Sequence, residues 1–127
     1  MKRRPDVLEG MTYKVTTDCG NFFLTINKAN DDLFEVRMEM GKSGNCVRGF
    51  LHLTSILISE KIQSSDDAKD LKKFLSRHLN EFSCGCPFTW RGESYKSCVD
   101  YAAKKILEAI KEEETKKVEP EQSKSKT

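Results

Sequence analysis

The stretch that decides the fold runs Phe34-Glu35-Val36-Arg37-Met38-Glu39-Met40-Gly41-Lys42-Ser43-Gly44-Asn45-Cys46-Val47-Arg48-Gly49-Phe50-Leu51. Apolar and charged residues alternate as far as Met40, which is the period of a half-buried strand. After Cys46 the apolar residues recur three and four positions apart, which is the period of a helix. The stretch therefore predicts a strand, a glycine-rich turn and a helix in direct succession.

The turn at 41–46 has the outline of an anion pocket. Unpaired backbone N–H groups and the positive end of a helix dipole face one spot there, and Lys42 adds a full charge. A Walker A loop would also need a glycine at position 36, where this chain has Val36. Two interpretations stay open: a strand-to-helix turn with Ser43 or Asn45 as N-cap, and a phosphate site.

Two further strands precede this stretch and two further helices follow it. Residues 12–17 predict a first strand, and a second one follows the turn at 18–21. The helix from about 46 to 62 is apolar on more than one side, so we expect it to be the central packed helix. A second helix is expected after an N-cap among 64–66, and a third after a capping box. That box is formed by Ser97 and Asp100, a loop runs from 83 to 96, and the last helix has a modest apolar face.

Strands first and helices afterwards indicate the α+β class: an antiparallel three-stranded β-meander followed by about three helices packed on one face. The net charge is +2 and the basic residues are spread out, which argues against a dedicated nucleic-acid binder. No apolar run follows the basic residues at 2–4, and none is long enough to span a bilayer. We expect a soluble, cytoplasmic protein with a basic lead-in at 1–10, a single domain at 11–112 and a charged, disordered tail at 113–127.

Five cysteines are expected to be thiols in such a compartment. Each lies at the end of a predicted element, and such ends gather at one side of a small domain. Cys46 and Cys98 begin helices, where the thiol pKa is lowered, so thiolate character is expected there. The Cys84-x-Cys86 spacing is too short for the usual zinc knuckle. Ordinary thiols, a metal site and redox chemistry all stay open.

Aromatic residues surround the loop that carries Cys84 and Cys86. Phe88 and Trp90 lie beside Arg91, an arrangement that can clamp a planar ligand or pack over the end of the core. The two histidines, His52 and His78, lie within helical patterns and are interpreted as packed or surface residues.

Several segments, taken in order, carry a resemblance to a known family. They are Arg4-Pro5-Asp6-Val7-Leu8-Glu9-Gly10-Met11-Thr12, Thr17-Asp18-Cys19-Gly20-Asn21-Phe22-Phe23-Leu24-Thr25-Ile26-Asn27, Glu35, Gly41-Lys42-Ser43-Gly44 and Ser97-Cys98-Val99-Asp100-Tyr101-Ala102. Over roughly residues 3–110 the chain resembles the TSCPD domain, which occurs at the C-terminus of adenosylcobalamin-dependent (class II) ribonucleotide reductases and in small stand-alone proteins.

The chain departs from that family in four respects. Val99 stands where the signature has proline, and Lys96 replaces its first threonine. The tail lacks the terminal Cys-x-x-Cys that the reductases often carry, and the reductase barrel is absent. The resemblance therefore implies a fold and a context in nucleotide metabolism, without an activity.

The leading interpretation is a non-enzymatic, stand-alone TSCPD-like module of a phage or bacterium that binds, and so regulates or sequesters, a nucleotide or nucleotide-derived anion. Phosphate contacts are expected from Lys42, Ser43, Gly44, Asn45 and Arg48, and base stacking from Phe88, Trp90 and Arg91. One alternative is a zinc-binding or redox accessory protein that uses Cys19, Cys46, Cys84, Cys86 and Cys98. Another is an interaction domain for a ribonucleotide reductase. The leading interpretation requires no cofactor and no membrane, and the exposed edges of the sheet favour a homo-oligomer.

Overall fold

Three consecutive strands pair into one antiparallel meander in the computed structural model, which describes residues 3–17, 19–41, 45–65 and 67–126 and, within them, all side chains except those of Asn45 and 114–126. The strands are β1 (Glu9–Thr17), β2 (Gly20–Ala29) and β3 (Asp32–Met40). The helices that pack against the sheet and one another are α1 (Asn45–Ser64), α2 (Ala68–His78) and α3 (Cys98–Lys126). The predicted α+β class, with its meander and later helices, is confirmed.

The strand register places the apolar residues in rows on the inner face of the sheet. Val15 pairs with Phe22, and Phe22 pairs with Met40, so these three side chains form one row. All three are buried. The register shifts after Asn27, so that Phe34 is the extra residue of a β-bulge in β3.

Tight turns hold the meander together. Asn30 and Asp31, between β2 and β3, have φ of 53° and 68°, the left-handed pair that a type I′ hairpin turn requires. Gly20 has φ of 130°, and a Cβ there would lie 3.0 Å from the carbonyl oxygen of Gly41. Only glycine fits that backbone and that approach. The turn between β1 and β2 therefore lies directly beside the end of β3.

The most deeply packed helix is α3. Its buried residues are Asp100, Tyr101, Ala102, Ala103, Ile106, Ala109 and Ile110. Three of these are alanines, which let the helix backbone approach its neighbours closely. The modest apolar face expected from the sequence is thus the centre of the core.

The expectation that the helix after Gly41 would be the central one is wrong. In α1, Leu51, Ile58 and Ile62 are buried, but Phe50 and Leu57 are 68% and 55% exposed. The helix lies along the outer edge of β3. A helix at a sheet edge can bury only one side, which is why its second apolar side is left uncovered.

Side chains of α1 satisfy the backbone of the β3 edge. The Ser55 hydroxyl accepts a hydrogen bond from the Met38 N–H at 2.8 Å. The Ser59 hydroxyl accepts from the Val36 N–H and donates to the Val36 carbonyl, both at 3.0 Å. An edge strand otherwise presents unpaired groups to other chains. The β3 edge is therefore covered within the chain, and the predicted homo-oligomer stays a prediction.

The predicted loop at 83–96 contains a small hairpin, β4 (Phe88–Trp90) and β5 (Glu93–Tyr95). Its turn is Arg91-Gly92, with φ of 50° and 84°. Alternating aromatic residues around an X-Gly pair are the sequence signal for such a hairpin. The N-cap of α2 is Asp67, whose side chain accepts from the Asp70 N–H at 2.8 Å, one residue beyond the predicted group.

The described residues contain no helix that is long and apolar enough to cross a membrane. The predicted division into lead-in, domain and tail stays a prediction, with β1 beginning at Glu9 and α3 ending at Lys126. Hydrogen exchange over residues 113–127 would test the predicted tail.

Candidate functional site

A groove of about 1120 Å³ lies between α1 and the outer face of β3. Its strand wall carries Glu35, Arg37 and Glu39, the outward-facing residues of β3. Its helix wall carries Arg48 and His52, one turn apart on α1. We refer to it as the α1–β3 groove. It opens beside Gly41, where the strand ends and the helix is about to begin.

Glu35 organises one end of the groove. Its carboxylate accepts hydrogen bonds from Arg4 at 3.1 and 3.3 Å and from the Asn27 amide at 2.9 Å, and it lies 3.7 Å from Arg37. Burial alone would raise the Glu35 pKa, but these hydrogen bonds and charges outweigh it, so the pKa is lowered. The hydrogen bond from Arg4 to Glu35 likewise raises the Arg4 pKa. This end of the groove is a satisfied ionic cluster.

Arg48 differs from the other two arginines of the groove. It is exposed, and it makes no hydrogen bond or ion pair with any residue that the structure describes. It lies in the first turn of α1, near the positive end of the helix dipole. His52 lies four residues on, on the same side of the helix. An uncommitted cation near a helix start is suited to bind an anion.

The structure brings only part of the predicted ligand site together. Lys42, Ser43 and Gly44 lie outside the described residues, Asn45 begins α1, and Arg48 lines the groove.

The predicted stacking residues lie in the hairpin and do not line the groove. The Phe88 ring packs 5.4 Å from Tyr95 and 6.3 Å from Tyr101. The Arg91 guanidinium lies 5.3 Å above the Trp90 ring. These contacts agree with packing over the end of the core, the second interpretation of the aromatic loop.

Four of the five cysteines gather at one end of the domain. Cys19, Cys84 and Cys86 all lie close enough to influence the ionisation of Cys98. Burial, with a smaller contribution from these thiols, raises the Cys98 pKa to about 12. The expectation of thiolate character at Cys98 is therefore wrong, because the thiol is too buried for the helix start to dominate. Among the described side chains, no three of the Cys, His, Asp and Glu type already stand in a metal-ligating arrangement.

Ser97 and Asp100 close the loop onto the start of α3. The Ser97 hydroxyl donates to the Phe82 carbonyl and accepts from the Asp100 N–H at 3.0 Å, as an N-cap does. The Asp100 carboxylate, fully buried, accepts from the backbone N–H groups of Glu81 at 2.7 Å and Lys96 at 2.9 Å. We call Ser97 and Asp100, with these partners, the loop clip.

A buried carboxylate is stable only when a positive charge pairs with it, and the Lys104 ammonium provides that charge. Its ammonium lies 2.8 and 2.9 Å from the two oxygens of Asp100. Burial would raise the Asp100 pKa, but the hydrogen bonds from Lys104, Lys96 and Glu81 lower it below its ordinary value of 3.8. Ser97 and Asp100 thus hold the polypeptide in place and are not arranged for chemistry.

A family model for the TSCPD domain matches residues 1–111, which include this clip. The chain belongs to the TSCPD domain family. The predicted resemblance is confirmed, and the last part of the family's signature is explained: in this TSCPD domain its serine and aspartate clip the loop 81–96 to α3. No curated protein and no solved structure showed a significant match to the chain.

Three side-chain arrangements in this TSCPD domain were not predicted from the sequence. Arg4 and Glu35 are 31 positions apart, so no local spacing joins them. Ser55 and Ser59 had a signal, since they are polar residues four apart on a side of α1 that is otherwise apolar. Asp100 and Lys104 also had one, because an acid four residues before a base is a stabilising helix pair.

Proposed function

We propose that this TSCPD domain binds a nucleotide or nucleotide-derived anion in the α1–β3 groove, with Arg48 as the principal contact to phosphate. The observation that carries the proposal is the uncommitted charge of Arg48 in a groove at the start of α1. A folded protein usually pairs or solvates its arginines, and one that lines a concavity is available to a ligand.

The surrounding charges support a ligand whose charge is localised. Glu35 pairs with Arg4 and lies 3.7 Å from Arg37, so its single negative charge offsets part of the positive charge on the strand wall. The helix wall, with Arg48 and His52, faces them. A guanidinium binds phosphate through two parallel N–H···O bonds, which is geometry that a lysine does not offer.

The groove is large enough for a mononucleotide. Sites for small molecules usually have volumes of about 300–1,000 Å³, and this groove has about 1120 Å³. Phe23 and Ile56 add apolar surface to its walls, on which a base or sugar can pack. A domain that holds a nucleotide without acting on it would regulate or sequester it, in the phage or bacterial setting that we expect.

The remaining predicted residues enter the proposal in two groups. Lys42, Ser43, Gly44 and Asn45 lie in the chain between Gly41 and the first turn of α1, and we assign them to the phosphate end. Phe88, Trp90 and Arg91 belong to the hairpin, so base stacking there is a separate proposal. The single tryptophan tests it, because a base stacked on Trp90 should quench its fluorescence.

Calorimetry with ATP, ADP and adenosine tests the groove. Arg48→Ala should weaken binding of the phosphorylated ligands by about 1–3 kcal/mol, the range for a hydrogen bond to a charged group. Arg77→Ala is the matched control, since Arg77 is an exposed arginine on α2 outside the groove. Affinity should also fall as salt rises. Equal affinities of the Arg48→Ala and Arg77→Ala variants, or equal affinity for adenosine and ADP, would contradict the proposal.

We also propose that the domain self-associates through α1. Its exposed large apolar side chains are Val47, Phe50, Leu53, Ile56 and Leu57, between 44% and 68% exposed. We call these five residues the apolar stripe of α1. Contiguous exposed apolar surface of this kind marks an interaction site. An antiparallel two-fold pairing would also set the positive N-terminal end of each α1 near Glu60 of the second copy.

Sedimentation velocity across a range of concentrations tests this pairing. The native chain should reach twice its mass of 14.5 kDa, and Phe50→Glu should keep it monomeric. Ser76→Glu, which adds the same charge at an exposed position of α2, should leave the dimer intact. A native chain that stays monomeric at high concentration would refute self-association.

A further inference from the structure

The end of the domain that carries the turn between β1 and β2 gathers four thiols from three separate segments. Cys19 lies in that turn, Cys84 and Cys86 lie in the loop before β4, and Cys98 is the first residue of α3. None of the five cysteines of the chain is in a disulfide. We propose that Cys19, Cys84, Cys86 and Cys98 together bind one zinc ion.

Hydrogen bonds and a ring contact link these segments. The Thr17 hydroxyl accepts from the Cys19 N–H at 3.1 Å. Just after this turn, the Phe22 ring lies 6.2 Å, edge to face, from the Tyr101 ring, so the start of β2 meets the first turn of α3, which Cys98 begins. The Cys84 sulfur lies 3.9 Å from the carbonyl oxygen of Lys96, two residues before Cys98, and 3.9 Å from that of Cys86. The four residues therefore surround one small region, at which β1, the loop and α3 meet.

The loop clip fixes the backbone of two of the three segments that carry these thiols. Ser97 binds the Phe82 carbonyl, so the chain that leads to Cys84 is tied to the residue before Cys98. Asp100 binds the Lys96 N–H two residues before Cys98. A buried, charge-compensated clip therefore holds the segment of Cys84 and Cys86 against the segment of Cys98. The clip performs this positioning without being a ligand itself.

The chemistry of the four groups selects the ion. Four cysteine sulfurs are the ligand set of tetrahedral structural zinc, and soft sulfur ligands select against magnesium and calcium. The thiols of Cys19, Cys84 and Cys86 are exposed and can rotate toward Cys98, which is half-buried. Zinc would displace the thiol protons and draw the ligands into the shell, because metal binding supplies free energy that orders its own site.

A site of this kind would close one end of the domain. The turn at Cys19 lies beside Gly41, and the loop at Cys84 precedes the hairpin. Joining both to the start of α3 would stabilise the region independently of the α1–β3 groove. The two proposals can therefore fail separately.

Cobalt(II) titration of the reduced full chain tests the proposal, since tetrahedral thiolate coordination gives intense charge-transfer and visible bands. We expect one cobalt per chain, displaced by zinc, and a higher midpoint of thermal unfolding with zinc. Cys84→Ser should weaken binding at least about 100-fold, because even changes outside the ligands cost 10–100-fold. Cys46→Ser is the matched control, an exposed cysteine that is not among the four, and should bind as the native chain does.

Cys19→Ser and Cys86→Ser, both at exposed positions, repeat the test without disturbing the core, and circular dichroism verifies that each variant is folded. Absence of the cobalt bands in the reduced native chain would overturn the proposal. A loss of affinity in Cys46→Ser equal to that in Cys84→Ser would do the same.

Discussion

The two long helices of this domain differ in how much of their apolar surface is buried. α3 buries small and medium side chains such as Ala102, Ala103 and Ile106 completely. α1 has larger apolar residues, yet Phe50 and Leu57 are more than half exposed. The helix with the weaker sequence pattern is central, and the one with the stronger pattern lies at the edge.

The difference shows that the apolar content of a helix does not decide how much of it is buried, because burial depends on the elements around it. A helix packs deeply where its neighbours surround it, and alanines help because they allow close approach. α1 has the sheet on one side only, and it attaches there through the hydroxyls of Ser55 and Ser59 as well as through apolar contacts. Its surplus apolar surface is consistent with a partner that covers it.

The largest loss of stability is expected for a substitution in α3. Ile106→Ala, at a position with no exposure, should lower the free energy of unfolding by about 2–5 kcal/mol through lost burial and the cavity left behind. Ile56→Ala, the same substitution on α1 at a position 47% exposed, should cost less than about 1 kcal/mol. Urea unfolding of both variants measures the two values. Equal losses would remove the distinction between the helices.

The next effect concerns the loop clip. Asp100→Asn should lower the free energy of unfolding at neutral pH by about 3 kcal/mol, because it leaves Lys104 without its buried partner. Urea unfolding at neutral pH measures this loss. Lys105→Gln, a control on the next residue, removes the surface pair with Glu108 and the contacts of the ammonium with the Tyr13 and Tyr101 rings, and should cost about 1 kcal/mol.

Asp100→Asn should also change how the free energy of unfolding depends on pH in acid. The Asp100 pKa is lower in the folded chain than its ordinary value of 3.8, so the unfolded chain takes up the proton first. The stabilisation is therefore present above pH 3.8 and is lost as the pH falls through the folded-state pKa. The native chain should lose stability steeply in that range, and Asp100→Asn should lose less. Urea unfolding at a series of acid pH values measures this difference. If the free energy of unfolding fell equally with pH in the native chain and in Asp100→Asn, Asp100 would not be the group responsible.

The elements of this fold could be predicted because their signals are local. Strand alternation at 34–40 and the N-cap at Ser97 each depend on neighbouring residues, and the structure has a strand and an N-cap there. The choice between α1 and α3 as the central helix depends on which faces meet across the whole domain. No period in one sequence contains that information.

The candidate site follows the same rule. Arg48 could be selected because it lies one turn after a glycine-rich turn. The cluster of Arg4, Asn27 and Glu35 could not, because it joins three distant segments of the chain. The gathering of the cysteines was anticipated only in general terms, as element ends meeting at one side. That the loop with Cys84 lies against the start of α3 depends on packing between distant segments.

A smaller effect is expected where α1 meets the sheet edge. Ser55→Ala leaves the buried Met38 N–H without its acceptor, which should cost about 1–3 kcal/mol of unfolding free energy. Ser76→Ala, at an exposed position of α2, should be close to neutral. Ser55→Thr keeps the hydroxyl and should recover part of the loss. If Ser55→Ala were also neutral, the hydroxyl would not be what holds α1 to β3.

The smallest effect should be found on the apolar stripe, and it depends on protein concentration. In the monomer the Leu57 side chain is 55% exposed, so Leu57→Gln should change the free energy of unfolding by no more than about 0.5 kcal/mol. In a dimer that buries the stripe, the same change should destabilise, because stability then includes the association energy. Chemical unfolding at low and high concentration separates the two cases, with Ser76→Gln as the control. A substantial loss at every concentration would mean that Leu57 is covered within a single chain, and the contrast between α1 and α3 would disappear.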